Sequence, residues 1–173
     1  MEIVFPIVPL VVLGFMTGMF LLALALKDNG IVDIGWGLGF ILIAATGILL
    51  NDAPDPRQYF MAGLIALWGL RLAIYIFIRN RGRGEDFRYA NWRKEWGKNW
   101  IIRSFLQVFM LQGLIMLIVS TPVWLVMEFR DGPLNWIDYL GGIIFLAGLI
   151  IESLVDFQLL IYKKKPSSKG KIM

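Results

Sequence analysis

The chain has 173 residues, of which 58% are hydrophobic and 17% charged, with a formal net charge of +4 and neither Cys nor His. Soluble domains carry about one quarter charged residues, so the surplus apolar surface points to an integral membrane protein. Without Cys or His there are no disulfides, no thiolate or Ser-His-Asp nucleophiles and no imidazole metal or haem ligands. Carboxylates alone could hold Mg²⁺ or Ca²⁺, but no calcium-loop spacing is present.

Five segments are long enough to cross a membrane, which takes about 20 apolar residues. In chain order they are Ile3–Leu26, Ile31–Leu50, Tyr59–Ile78, Ile101–Met127 and Trp136–Tyr162. The first is too long for a signal-peptide core and lacks a charged leader, so it is expected to stay. Asn29-Gly30 predicts a tight turn after it. Asp52-Ala53-Pro54-Asp55-Pro56 and Asp131-Gly132-Pro133 separate later spans. Gly14/Gly18 and Gly35/Gly39 are small-residue pairs suited to close helix packing within the bundle or to a dimer contact.

Basic residues are unevenly placed. Eight lie in the stretch from Arg79 to Arg103, around the loop between the third and fourth spans: Arg79, Arg81, Arg83, Arg88, Arg93, Lys94, Lys98 and Arg103. Five more follow the last span, and Lys27 lies in the first turn, whereas the opposite side has only Arg57 and Arg130. The positive-inside rule then places the loop 79–100 and the tail 163–173 in the cytoplasm and the N-terminus outside. The expectation is an all-α, single membrane domain over 1–173, a five-span bundle in the cytoplasmic membrane.

Polar residues inside spans carry the functional argument, because they are costly there and usually face a bundle interior. Arg71 lies seven residues before Ile78, roughly 10 Å below the basic end at 1.5 Å per residue. It either snorkels to the interface or faces a watered cavity, and Tyr75 and Arg79 on the same side extend it into a polar stripe. Glu152 and Asp156, four residues apart, share a helix face. They form a structural network with Arg71, lie at the interface, or belong to a cofactor or substrate site, with Lys163 and its neighbours attracting phosphate. Asp33 is either an acid favoured by the N-terminal helix dipole or a substrate-side member of the same site. Gln107 and Gln112 are expected to be interhelical hydrogen-bond partners. In RNRGRGEDFRYANWRKEWGKNW, glycines beside Arg81 and Arg83 allow backbone approach to an anion, and two guanidiniums suit phosphate. A basic loop touching anionic headgroups is the alternative. Tyr89, Trp92, Trp96 and Trp100 read as an interfacial aromatic belt, not a nucleic-acid platform.

Taken in order, VDIGWGLGF, WGLRLAIYIFIRNRGRGEDFRYANWRKEWG, FLQVFMLQG and ESLVDFQLLIYKKKPSSKGKIM resemble a bacterial branch of the steroid 5-alpha-reductase-like membrane proteins. The resemblance covers nearly the whole chain. It implies reduction of an activated carbon–carbon double bond in a lipophilic substrate by NADPH, held in a cytoplasm-facing cavity. It also implies cofactor-binding roles for Arg71, Tyr75, Arg83, Glu152, Asp156 and Lys163; no metal and no catalytic residue is assigned. The implied partners are membrane lipids and a lipophilic small molecule. The family continues past this point with a Gly-Leu-Trp-Arg-Tyr-Ser-Arg-His-Pro-Asn-Tyr-type motif and further helices. The expectation is therefore a truncated member that needs a helix partner over its incomplete bundle. A non-enzymatic assembly partner and a lipid-modifying methyltransferase are the rival readings. On the first reading the purified 173-residue chain shows no NADPH-dependent turnover, and detectable turnover would overturn it.

Overall fold

A computed structural model describes residues 4–82, 84–129 and 133–164. They form helices and no strands, and five helices are long and apolar enough to cross a membrane. The protein is a multi-pass membrane helix bundle. The chain divides into two compact units, 1–133 and 134–173.

In the first unit, α1 (Val4–Leu26) buries Val8, Val12, Met16, Phe20 and Ala23, three or four residues apart and so along one stripe. Helix α2 (Ile31–Leu50) sits at the centre, packed on α1 and on α3 (Pro56–Asn80). The α2–α3 crossing is made by glycine. A Cβ on Gly37 would overlap the backbone carbonyl oxygen of Gly69, and one on Gly69 would strike the carbonyl oxygen of Gly37. The expected pairs behave differently. Gly35 and Gly39 pack inside the unit, against Met19 and Met116, whereas Gly14 and Gly18 meet open space.

The tight turn expected at Asn29-Gly30 is present between α1 and α2. Its left-handed residue is Lys27, at φ 56°, while Gly30 is right-handed at φ −64°. Asn29 is buried there by hydrogen bonds to other elements, so tertiary contacts also hold the reversal.

Helix α3 starts three residues earlier than hydropathy suggests. Asp55 caps it, accepting from the Arg57 and Gln58 amides, and the Gln58 side chain accepts back from the Asp55 amide. Pro56 fills the first helical position, where no amide is needed. Buried Gln58 also donates to the carbonyl oxygens of Val126 and Met127, at 3.3 and 2.8 Å. This ties α3 to α7 (Thr121–Glu128), and the Val4 amide donates to Glu128 Oε2 at 2.9 Å.

The fourth crossing was expected over Ile101–Met127. The structure extends it at one end and breaks it at the other. Helix α4 (Phe87–Trp96) and a 3₁₀ turn, Gly97–Asn99, precede α5 (Trp100–Arg103), a π-helical stretch (Ser104–Met110) and α6 (Leu111–Val119). The helix breaks at Ser120 before α7, where Pro122 has no amide to offer. The Thr121 hydroxyl donates to Ile118 O at 2.8 Å and the Trp124 indole to Leu117 O at 3.4 Å, satisfying carbonyls at the break.

The second unit is built on α8 (Trp136–Lys164). Its start is fixed by Asn135, which accepts from the Ile137 amide at 2.8 Å, while Asp138 accepts from the Asn135 amide at 2.7 Å.

Gly37→Ala and Gly69→Ala should each destabilise the unit by about 1–3 kcal/mol or more, since the overlap is with rigid backbone. Gly14→Ala should leave stability unchanged within about 0.5 kcal/mol. Denaturation in detergent micelles or nanodiscs measures the difference.

Candidate functional site

Just beyond the Gly37–Gly69 crossing, α2 and α3 diverge toward the end of the bundle that carries α4. A cavity of about 570 Å³ opens there, lined by Asp33 and Trp36 of α2, Leu72, Ile76 and Arg79 of α3, Arg88 of α4, and Gln112 and Ile115 of α6. Trp36, Leu72, Ile76 and Ile115 give it apolar walls, and the charged residues gather at its end.

The polar end is organised by the Glu85-Asp86-Phe87-Arg88-Tyr89 stretch. Asp86 caps α4, accepting from the Arg88 amide at 3.0 Å, and also binds the Arg88 side chain through Nε at 3.0 Å and Nη2 at 3.2 Å. That pairing holds the Asp86 carboxyl below the usual carboxylate range. Arg88 Nη2 reaches across to Asp33 Oδ2 at 3.2 Å. The Tyr89 hydroxyl donates to Asp33 Oδ1 at 2.8 Å and accepts from Gln112 Nε2 at 3.5 Å. Asp33 is thus bonded from two sides.

A second clasp lies beside it. Glu85 Oε1 accepts from the Asn29 amide at 2.9 Å and from Arg93 Nη2 at 2.7 Å. Asn29 Nδ2 donates to Ser104 Oγ at 3.0 Å, and Arg93 Nη2 donates to Lys27 O at 3.3 Å. The Arg93 guanidinium lies 4.3 Å from the Trp100 ring centroid. The loop before α4 is therefore stapled onto the α1–α2 turn, which Asn29 ties in turn to the π-helical stretch.

Of the residues singled out from sequence, Asp33 lines the cavity. Arg71 and Tyr75 do not; they form the expected stripe with Arg79 on the neighbouring face of α3. The Tyr75 ring has the Arg71 guanidinium 5.7 Å and the Arg79 guanidinium 5.8 Å from its centroid. Arg83 lies outside the described residues. Glu152, Asp156 and Lys163 belong to the second unit, and their spacing of four and eleven residues puts them on one face of α8. With α8 upright and Trp136 at one boundary, Glu152 stands roughly 24 Å along it, inside the hydrocarbon, and Asp156 roughly 30 Å along, at the far edge.

Two expectations need correction. Tyr89 is buried and bonded to Asp33, so it is no part of an aromatic belt. Its ring packs edge-on to Trp92 at 5.6 Å, and Trp92 stacks on Trp96, 5.7 Å apart at 20°. Gln112 has its expected partner on another helix, but Gln107 faces outward, because the π-helical stretch turns Val108 and Phe109 inward beside it. Arg88 and Trp36 were missed as cavity residues, and Tyr89 as the partner of Asp33. The signal was the acidic pair Glu85-Asp86 amid basic neighbours, which has no use in a purely solvated basic loop.

The model of the family described as "Protein of unknown function (DUF1295)" matches residues 19–173. The chain belongs to this family. DUF1295 is related to the steroid 5-alpha-reductase-like proteins. No curated protein and no solved structure matches the chain. The match begins within α1 and spans the cavity, both clasps and α8, so every feature above falls inside the DUF1295 region except the first part of α1. No group of three or more acids that could hold a metal exists among the described residues.

Glu85→Ala in the DUF1295 chain should cost about 2–3 kcal/mol, because it strips the acceptor from a buried amide and from Arg93. Tyr89→Phe should cost about 1 kcal/mol, and Arg81→Ala, at an exposed position, under about 0.5 kcal/mol. Denaturant midpoints of the three variants give this ranking.

Proposed function

We propose that the cavity receives a lipophilic carbonyl compound and that the protein serves the NADPH-dependent reduction of a carbon–carbon double bond conjugated to that carbonyl. The observation that carries the reading is the state of Arg79. Among the described residues, its Nε donates to Asn80 Oδ1 at 3.2 Å, and its two terminal nitrogens have no acceptor. It ends a cavity whose walls are apolar. An apolar ligand with one acceptor oxygen fits that lining: the body lies along Trp36, Leu72, Ile76 and Ile115, and the oxygen meets Arg79.

The charge inventory favours a neutral head over a phosphate. Asp33 and Asp86 share Arg88, and Arg79 balances the remaining negative charge, so the cluster is neutral overall and offers no net positive charge to hold a dianion. A carbonyl accepting from Arg79 loses electron density toward the guanidinium, which makes the conjugated carbon more electrophilic. The apolar walls exclude water, and Asp33, Tyr89 and Arg88 hold the cavity end in place.

NADPH, when bound, supplies the hydride. Its phosphates need cations outside the neutral cluster. Arg71 and Tyr75 offer a guanidinium stacked on a ring, and Arg83 adds a cation from the loop. On α8, Glu152 and Asp156 would accept from ribose hydroxyls and Lys163 would bind phosphate; these roles rest on the resemblance. The basic side is proposed to face the cytoplasm.

A second reading has one observation in its favour. Asp33, Asp86, Arg88, Tyr89 and Gln112 satisfy one another, so the cluster also accounts for itself as a clasp in a non-enzymatic membrane protein.

Titrating the nanodisc-embedded protein with a lipophilic enone should give saturable quenching that Trp36→Phe abolishes and that Arg79→Leu shifts about tenfold to higher concentration. Overproduction of the protein should raise enone-dependent NADPH oxidation in native membranes. Absence of saturable quenching overturns the binding site. Saturable quenching without any rise in oxidation overturns the reductase and leaves the second reading.

A further inference from the structure

We infer that the outward face of the segment from Arg81 to Arg103 is a docking surface for anionic phospholipid headgroups. The inference concerns a face separate from the cavity and stands whether or not the protein is a reductase.

The segment sorts its cations. Arg88 and Arg93 turn to the bundle and are paired with Asp33, Asp86 and Glu85. Arg81, Lys94, Lys98 and Arg103 are exposed, and none has an acidic partner among the described residues. The acids are sorted too: Glu85 and Asp86 are consumed by the inward pairs, which leaves Glu95 as the exposed acid of the segment. The outward face is therefore strongly positive although the loop as a whole is mixed.

Apolar side chains interrupt that face. Phe87 is 72% exposed, Ile102 66%, Ile101 45% and Trp92 39%. Lys98 precedes Ile102 by four residues, so the charge sits roughly 6 Å along the chain axis from the first residues of the fourth crossing. A soluble acidic protein would match the cations but not Phe87 and Ile102. A headgroup layer matches both, with phosphates at the cations and acyl chains beside the isoleucines and Phe87. The clasp formed by Glu85, Asn29 and Arg93 fixes α4 against the bundle, so the face is presented as a rigid platform and not as a tethered basic string.

The test uses the full chain in phosphatidylcholine nanodiscs doped with an equal fraction of dibrominated phosphatidylglycerol or dibrominated phosphatidylcholine. The Trp92 contribution is obtained by difference from Trp92→Phe. Bromine on the glycerol lipid should quench Trp92 about two- to fivefold more strongly, and salt at about 0.5 M should reduce the excess. Lys94→Glu with Lys98→Glu should bring the ratio to about one. Both positions are exposed, and Lys94→Gln provides a milder variant with an intermediate ratio. Equal quenching by the two lipids in the unaltered protein overturns the inference and leaves the face to a soluble acidic partner. An excess that survives the double substitution overturns it as well.

Discussion

The close approach of α2 and α3 at Gly37 and Gly69 is the constraint on which the rest of the first unit depends. With no side chain between them at that point, the helices cross almost in backbone contact. Straight helices that touch at one point must separate on either side of it. The separation leaves space on both sides, and the two ends of the unit solve it differently. On one side Gln58 bridges α3 to the end of α7 through two carbonyls. On the other, no side-chain hydrogen bond joins α3 to α6 among the described residues, and residues of both line the cavity. The glycines thus set both the tightest contact and the position of the opening.

Polar groups at each end finish what the glycines begin. In hydrocarbon or at its edge, an unpaired charge is costly, and the bundle places its charged and amide groups where they bind one another. Asp33 would be an expensive acid near the start of α2 if it stood alone. It is held by Arg88 and Tyr89, residues more than fifty positions later. Glu85 similarly answers the Asn29 amide and Arg93 together. The stretch from Glu85 to Arg93 therefore behaves as a clip that joins α4 to the α1–α2 turn. Arg88 of this stretch also lines the charged end of the cavity, so truncating it would alter the clip and the cavity together.

Hydropathy made the five crossings legible because each is a long local run. Asp55-Pro56 followed by Gln58 is also a local signal, yet it was read as a spacer, since hydropathy has no weight for a capping box. Other features were hidden because they depend on pairs far apart in sequence. Nothing near Gly37 or Gly69 reveals that they meet, and the conspicuous Gly14/Gly18 pair faces open space. The Asn29-Gly30 turn was legible, but not that Asn29 would be bonded to Ser104 or that Lys27 would be the left-handed residue. Tyr89 was grouped with the tryptophans by composition, although its hydroxyl separates it from them: a phenol can end a buried carboxylate network and an indole cannot accept within one. The Arg71–Tyr75–Arg79 stripe was legible from helical spacing. That spacing could not tell which edge of the stripe would meet the cavity.

Arg79 resolves that last question. It follows Leu72 and Ile76 by seven and three residues and so shares their face, while it follows Tyr75 by four and shares that one too. It is the residue common to the cavity wall and the polar stripe. The Tyr75 ring lies 5.7 Å from the Arg71 guanidinium and 5.8 Å from that of Arg79, so the polar stripe meets the cavity wall through Arg79. Arg79 lines the same cavity as Asp33 and Arg88, which are paired with each other at 3.2 Å. On the proposed reading Arg79 is the donor that an entering acceptor meets, and the pairing of Arg88 with Asp33 and Asp86 leaves the cluster without the net positive charge that would hold a dianion.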